Sequence, residues 1–412
     1  MKYGLIGEHL GHSFSKEVHS MLSDYDYEIT EITPDKLDSF MSKAEFDAIN
    51  VTIPYKEAVM PYLYYISDEA RAIGSVNTIV NRGGKLYGYN TDFYGMTSLI
   101  NKMHLDLKGK KTVILGTGGT AKTAFAVAKS LGADTILKVS RTKKGDAIGY
   151  GELEELHKDA EIIINTTPKG MYPDNFSSPI NLDVFDRLEG VIDAIYNPIR
   201  TKLVIDALDR GIKAEGGLYM LVAQAVFASE IFLDTKYPAE KLNKIYNKIR
   251  RRKENIVLIG MPACGKTTVS KLIAKELSRD CLDTDEMVVK SRGMTITEIF
   301  ESEGEKAFRD YETQEIANVS LQNNKIIATG GGAVLKRENV NMLRQNGVIF
   351  FIDRPYEKLT PTTDRPLARD LDSIKQRYEE RYQIYCSAAD FVIDADDTPY
   401  NIAKKITGVF YK

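Results

Sequence analysis

Along the first 90 residues, short apolar runs alternate with stretches whose apolar positions recur every three or four residues. Runs at Lys2 to Gly7, Tyr27 to Ile32, Asp47 to Ile53, Val76 to Asn81 and Lys85 to Tyr89 predict strands, and Ser15 to Ser23 predicts a helix. Such alternation predicts an α/β layer. Further on, Lys111 to Leu115 runs into Gly116-Thr117-Gly118-Gly119, then into the Ala-rich helix Ala121 to Leu131 and a strand at Thr135 to Val139. That order is the opening of a βαβ unit of dinucleotide-binding type. Strands at Glu161 to Asn165 and Val191 to Ala194 extend it, and a helical stretch, Leu218 to Leu233, closes this half. From Tyr237 to Asn255 the pattern turns polar and helix-compatible, with seven Lys and Arg side chains, and reads as a solvated connector. A new apolar run, Asn255 to Ile259, then delivers Gly260-Met261-Pro262-Ala263-Cys264-Gly265-Lys266-Thr267 to an amphipathic helix ending at Leu277.

That second glycine-bearing loop makes one domain an insufficient description. The chain has 412 residues, whereas domains run to roughly 100–200, so two or three are expected. With 43% hydrophobic and 27% charged residues the composition is that of a globular protein. A net charge of −3 argues against a nucleic-acid partner, and no apolar stretch is long enough to span a membrane. Cys264, Cys281 and Cys386 are odd in number and lack metal-ligand spacing. With no leader pattern at the start, these features predict a cytoplasmic protein, a monomer or homodimer, acting on small molecules.

The two loops call for phosphate chemistry. In the second, backbone N–H groups surround phosphates, with Gly260, Cys264, Gly265 and Thr268 in the nucleotide contact, Lys266 supplying a point charge and the Thr267 hydroxyl ligating Mg²⁺. In the first, Gly116, Gly118 and Gly119 permit a tight turn and close approach of a pyrophosphate to a helix N-terminus. The following strand ends in Ser140-Arg141-Thr142-Lys143-Lys144 rather than in an acid. Ser140, Arg141, Thr142 and Lys144 suit a ribose 2′-phosphate, and hence NADP.

Six segments in order carry a resemblance to shikimate dehydrogenase across residues 1 to 235. They are Gly11-His12-Ser13-Phe14-Ser15, Asn50-Val51-Thr52-Ile53-Pro54-Tyr55-Lys56, Gly74-Ser75-Val76-Asn77-Thr78, Gly88-Tyr89-Asn90-Thr91-Asp92, Asn165-Thr166-Thr167-Pro168, and Gly216-Gly217-Leu218-Tyr219-Met220-Leu221-Val222-Ala223-Gln224. The resemblance implies that Lys56 and Asp92 are the catalytic pair beside a reducible ketone, and that Ser13 and Ser15 hold a substrate carboxylate near Thr52 and Tyr196. It further implies that Asn77 and Gln224 bond the ring hydroxyls, and that Thr166, Gly217 and Met220 lie along the NADP(H). Lys122 stands where the family commonly has an arginine, which keeps a cation near the phosphates without its bidentate fork.

Residues from about 254 to 412 resemble shikimate kinase. The motifs are the phosphate loop, Asp283-Thr284-Asp285, Gly304-Glu305-Lys306-Ala307-Phe308-Arg309 with Phe300 and Glu312, Thr329-Gly330-Gly331-Gly332, Arg365-Pro366-Leu367, and Arg381 with Tyr385. By this resemblance Asp283 acts on Mg²⁺ from behind its direct ligands. Asp285, one strand step further on the same side, orients the attacking hydroxyl. Arg309 and Arg381 capture the substrate carboxylate beside Gly330, Gly331 and Gly332, and Arg365 rides a lid that meets ATP. Ala263 replaces a glycine often found in the loop, restricting φ there.

The implied organisation is a substrate-binding α/β domain (1–93 with 216–236), a Rossmann domain (94–215), a linker helix (237–253) and a P-loop kinase domain with a parallel sheet (254–412), resembling the nucleoside-monophosphate kinases. The implied function is bifunctional: NADPH-dependent reduction of 3-dehydroshikimate, then ATP- and Mg²⁺-dependent phosphorylation of shikimate. Alternatives are a quinate or polyol dehydrogenase joined to another small-molecule P-loop kinase, and a kinase-like domain that binds nucleotide only for regulation.

Overall fold

The computed structural model describes every residue except 11–13, 143–144 and 360–370. Two compact units, 1–248 and 249–412, make up the chain, and the division falls inside helix Ala239–Lys253. The first unit holds two sheets and the second holds one.

Strands β1 (Tyr3–Gly7), β2 (Tyr27–Glu31), β3 (Ala48–Val51), β4 (Tyr65–Ile66), β5 (Thr78–Arg82) and β6 (Lys85–Tyr89) form a mixed sheet in the order β2-β1-β3-β5-β6-β4. β5 and β6 pair antiparallel through Gly83 and Gly84, both at positive φ (61° and 81°), as a two-residue hairpin requires. The sequence predicts a strand from Asp47 to Ile53, but β3 stops at Val51. Beyond it the chain turns, with Tyr55 N–H donating to the Thr52 carbonyl (3.0 Å). That early stop aims Thr52 and Lys56 away from the sheet, towards a cavity. The predicted helix from Ser15 likewise closes early, at Ser20.

The second sheet is parallel: β7 (Lys111–Leu115), β8 (Thr135–Val139), β9 (Ile162–Asn165), β10 (Gly190–Asp193) and β11 (Lys213–Glu215), ordered β11-β10-β9-β7-β8. Ile162, Ile163 and Ile164 are fully buried, as a strand covered on both faces demands, each contributing about 1.5–3 kcal/mol of burial. Register sets Leu115 opposite Asn165 and Asn165 opposite Asp193, so these carboxyl ends form one rim. Open parallel sheets bind ligands at that rim. Helices Thr91–Lys102 and Leu218–Leu233 pack together in the same unit. They approach closely at Gly95, where a Cβ would stand 2.8 Å from the Met220 carbonyl.

In the second unit β12 (Asn255–Ile259), β13 (Cys281–Asp283), β14 (Ile326–Ala328), β15 (Gly347–Asp353) and β16 (Phe391–Asp394) form a parallel sheet ordered β13-β14-β12-β15-β16. β12 is buried along its whole length and sits centrally, so its carboxyl end delivers the phosphate loop to the middle of the rim. The basic run before it is not simply solvated. Arg250 Nε (2.9 Å) and Arg251 Nη1 (3.2 Å) both pair with Glu254, which has no exposed surface. No helix among the described residues is long and apolar enough to cross a membrane.

Candidate active sites

A cavity of about 380 Å³ in the first unit brings together Ser15, Thr52, Lys56, Asn77, Asp92, Tyr196 and Gln224. Gly217 and Met220 border it too, whereas Ser13 lies outside the described residues. Lys56 Nζ stands 2.6 Å from Asp92 Oδ2, with about a quarter of each side chain exposed. Asp92 occupies the first turn of helix Thr91–Lys102, whose cap is Asn90, accepting from the Phe93 N–H. The Asp92 carboxylate is therefore not used up in capping. Asn77 Oδ1 accepts from the Thr91 N–H (2.7 Å), so Asn77 serves the cavity as a donor. Gln224 Nε2 donates to the Leu221 carbonyl (3.2 Å).

Sequence reasoning assigned no role to Asn50 or Phe14, which border the same cavity. Asn50 is buried, accepts from the Tyr27 hydroxyl (2.8 Å) and donates to Thr78 Oγ1 (3.1 Å), forming a fixed polar floor. Phe14 meets Tyr196 edge-on, ring centroids 6.0 Å apart, and burial raises the Tyr196 phenol above its usual range. Lys122, expected near phosphates, pairs instead with Glu57 at 2.6 Å.

A second cavity, about 790 Å³, opens over the rim of the parallel sheet and is bordered by Gly116, Gly118, Ser140, Arg141 and Thr166. Gly116 has φ +110°, and a Cβ there would come 2.7 Å from Thr166 Oγ1. Gly118 caps helix Gly119–Ser130 without a side-chain bond, leaving the first-turn N–H groups to a phosphate. These walls fit a dinucleotide. Gly119 opens the helix and Thr142 is exposed, neither walling the cavity, and Lys144 lies outside the described residues.

In the second unit Gly260 and Gly265 take positive φ (149° and 99°), and so does Ala263 at 64°. Lys266 is buried, its ammonium donating to the carbonyls of Gly260 and Met261 at 2.9 Å each. Cys264 Sγ lies 3.8 Å from that nitrogen, and Thr268 faces out from the helix. Thr267 Oγ1 donates to Asp283 Oδ2 at 2.8 Å. This hydroxyl and carboxylate fit the oxygen chemistry of Mg²⁺.

Asp285 does not follow Asp283 along a strand, contrary to the sequence expectation. β13 ends at Asp283, whose Oδ1 caps helix Thr284–Arg292 by accepting from the N–H groups of Asp285 (3.0 Å) and Glu286 (3.4 Å). Asp285 thus sits in a helical first turn, because the capping carboxylate stops the strand. It still joins Arg309, Arg381 and Gly330, Gly331 and Gly332 around a pocket of about 60 Å³. Arg309 pairs with Glu312 (2.8 Å) and Glu305 (3.0 Å), while Arg381 Nη1 donates to the Gly331 carbonyl (3.4 Å). A Cβ at Gly332 would strike the Arg309 guanidinium, and one at Gly330 would strike the Asp285 and Glu312 carboxylates. Arg365 lies outside the described residues. Glu312, left without a role by the sequence, has no exposed surface; burial raises its carboxyl, the Arg309 charge opposes that and Asp285 adds to it. Its signal was the i,i+3 spacing from Arg309 on one helix.

Residues 262–410 match the family model of shikimate kinase, and residues 5–79 match that of the shikimate dehydrogenase substrate binding domain. The shikimate dehydrogenase (NADP(+)) of Clostridium perfringens strain SM101 is 38% identical over 268 residues, an alignment covering 61% of this chain and 98% of that enzyme. Among solved structures, a chorismate mutase/shikimate 5-dehydrogenase fusion protein from Clostridium acetobutylicum is 36% identical with a TM-score of 0.57, covering 60% of this chain and 96% of its own. Shikimate dehydrogenase 1 from Peptoclostridium difficile is 38% identical with a TM-score of 0.54, covering 60% and 98%.

Proposed function

Because the chain belongs to the shikimate dehydrogenase family and carries a shikimate kinase domain behind that region, we propose that it reduces 3-dehydroshikimate to shikimate and then phosphorylates shikimate to shikimate 3-phosphate. The observation that carries the reading is the Lys56–Asp92 pair, 2.6 Å apart in a cavity where hydroxyl and amide side chains suited to a small polyhydroxylated acid are set among apolar walls. NADPH supplies the hydride, ATP the phosphoryl group, and Mg²⁺ neutralises phosphate charge.

In the first site Lys56 delivers a proton to the oxygen that gains charge as the ketone is reduced. Asp92 orients the ammonium and accepts from a neighbouring substrate hydroxyl. Ser15, Thr52 and Tyr196 offer hydroxyls to the carboxylate, and Asn77 and Gln224 bond the ring hydroxyls. Gly116, Gly118, Ser140 and Arg141 hold the dinucleotide. In the second site Arg309 and Arg381 bind the shikimate carboxylate, Asp285 orients the 3-hydroxyl and takes its proton, and Lys266 exchanges loop carbonyls for phosphate oxygens. Thr267 would ligate the Mg²⁺, with Asp283 behind it on the same hydroxyl.

One reaction containing 3-dehydroshikimate, NADPH, Mg²⁺ and ATP tests both halves, with shikimate 3-phosphate as the expected product. Accumulation of shikimate would reject the kinase half, and unconsumed NADPH the dehydrogenase half. In the oxidative direction, with NADP⁺, preference for shikimate over quinate separates the reading from a quinate dehydrogenase.

A further inference from the structure

Between the two cavities of the first unit lies a carboxylate that borders neither. Asp193 ends β10 and has no exposed surface. Its Oδ1 accepts from Asn165 Nδ2 (3.0 Å) and from the Ile195 N–H (3.0 Å), and its Oδ2 accepts from Thr201 Oγ1 (2.6 Å). Each bond leads to a different wall. Asn165 Oδ1 accepts from the N–H (3.0 Å) and hydroxyl (2.7 Å) of Thr167, a residue bordering the dinucleotide cavity. The Asn165 amide therefore cannot flip without losing its bonds on both sides.

On the other side, the bond to Ile195 N–H bends the chain so that Ala194 and Tyr196 border the substrate cavity. The Ile195 carbonyl accepts from the Gly217 N–H (2.7 Å), and a Cβ at Gly217 would collide with the Ala194 carbonyl. Thr201, the third partner, caps helix Lys202–Asp209 by accepting from Val204 N–H (3.4 Å). One buried group thus ties the dinucleotide wall to the substrate wall through neutral partners.

We propose that Asp193 is a positioning residue for hydride transfer, setting Thr167 through Asn165, and Ala194 to Gly217 through Ile195, in mutual register. A hydride must cross a fixed short gap, and a displacement of about 1 Å between donor and acceptor walls is costly in rate. Nothing in this role requires Asp193 to touch either ligand. The inference rests on the dehydrogenase reading above.

The test measures kcat for 3-dehydroshikimate reduction by the full chain, per NADPH-binding site, with thermal melting as the control for folding. Asp193→Ala is expected to lower kcat per site by about tenfold, and Asn165→Ala by a similar factor, with the double variant no worse than the poorer single because the two act as one unit. Asp193→Asn, whose amide oxygen still accepts from Asn165 and Ile195, is expected to keep kcat within about threefold of the unmutated chain. A merely structural role would alter melting but leave kcat per site unchanged. A folded Asp193→Ala with unchanged kcat, additive losses in the double variant, or an Asp193→Asn as poor as Asp193→Ala would each overturn the inference. Should Asp193→Ala not fold, a folded Asn165→Ala with unmutated kcat overturns it equally. Absence of reduction by the unmutated chain would instead fail the dehydrogenase reading, and the inference with it.

Discussion

The dehydrogenase cavity offers its ligand mostly neutral groups, whereas the second unit offers groups already engaged by the chain itself. In the first, Ser15, Thr52, Asn77, Tyr196 and Gln224 surround a single ion pair. In the second, Arg309 is held by two glutamates, Lys266 by two carbonyls and Thr267 by Asp283. The difference teaches where each site keeps its binding strength. Under the proposed function, directional neutral bonds in a cavity of about 380 Å³ would select by the placement of hydroxyls. By the same reading the guanidiniums around the pocket of about 60 Å³ would select by charge, with Arg309 exchanging its glutamate partners for the substrate.

The largest expected effect separates the two sites outright. Lys56→Ala should lower dehydrogenase kcat by about 10²–10⁴-fold and leave shikimate phosphorylation intact. Lys266→Ala should abolish phosphorylation and leave reduction intact. Paired assays on both variants check this, and loss of both activities in either variant would break the comparison. Next, if the kinase pocket binds by charge geometry, Arg309→Lys should raise the KM for shikimate by an amount corresponding to about 1.5–3 kcal/mol, because the fork is lost and Glu312 keeps only a point-charge partner. The same conservative exchange of Lys56 for Arg should act on kcat rather than on KM.

A comparable energy is expected from pH in the first unit. Burial pushes the Asp193 carboxyl up to about 7 from an ordinary 3.8, and its hydrogen-bond partners only partly oppose this. Between those values the folded chain binds more protons than the unfolded one. Stability therefore falls as pH rises, and the loss is complete above the folded value, at about 4 kcal/mol. Chemical denaturation of the unmutated chain and Asp193→Asn, at roughly pH 4 and pH 8, should show that loss in the former alone. The smallest effect concerns Ala263, whose φ of 64° is uncomfortable for a residue with a Cβ. Ala263→Gly relieves about 1 kcal/mol of backbone strain but adds unfolded-state freedom, so a net gain of about 0.5 kcal/mol in the second unit is expected by urea titration.

The fold was legible wherever periodicity was strong. Helix Leu218–Leu233 and strands Lys111–Leu115, Thr135–Val139 and Asn255–Ile259 have the limits the pattern predicts. Edge pieces such as Tyr65–Ile66 and Lys213–Glu215 escaped, since two or three half-exposed residues carry no period. The motif residues of the first site could be singled out because each sits in a short stretch of distinctive polar residues. Asn50, Asp193 and Glu312 were harder, because a buried polar side chain takes its meaning from partners distant in sequence or hidden on the next turn. Asp285 shows the limit of strand arithmetic, since one capping carboxylate two residues earlier turned the strand into a helix.

Glu254 has a practical consequence for anyone wishing to separate the two activities. Its carboxylate, fully enclosed, pairs with the guanidiniums of Arg250 and Arg251, four and three residues earlier. A fragment that begins at Glu254 would strip both guanidiniums from an enclosed carboxylate at the entrance to the central strand, a destabilising change. A free-standing kinase fragment should therefore begin far enough upstream to retain Arg250 and Arg251.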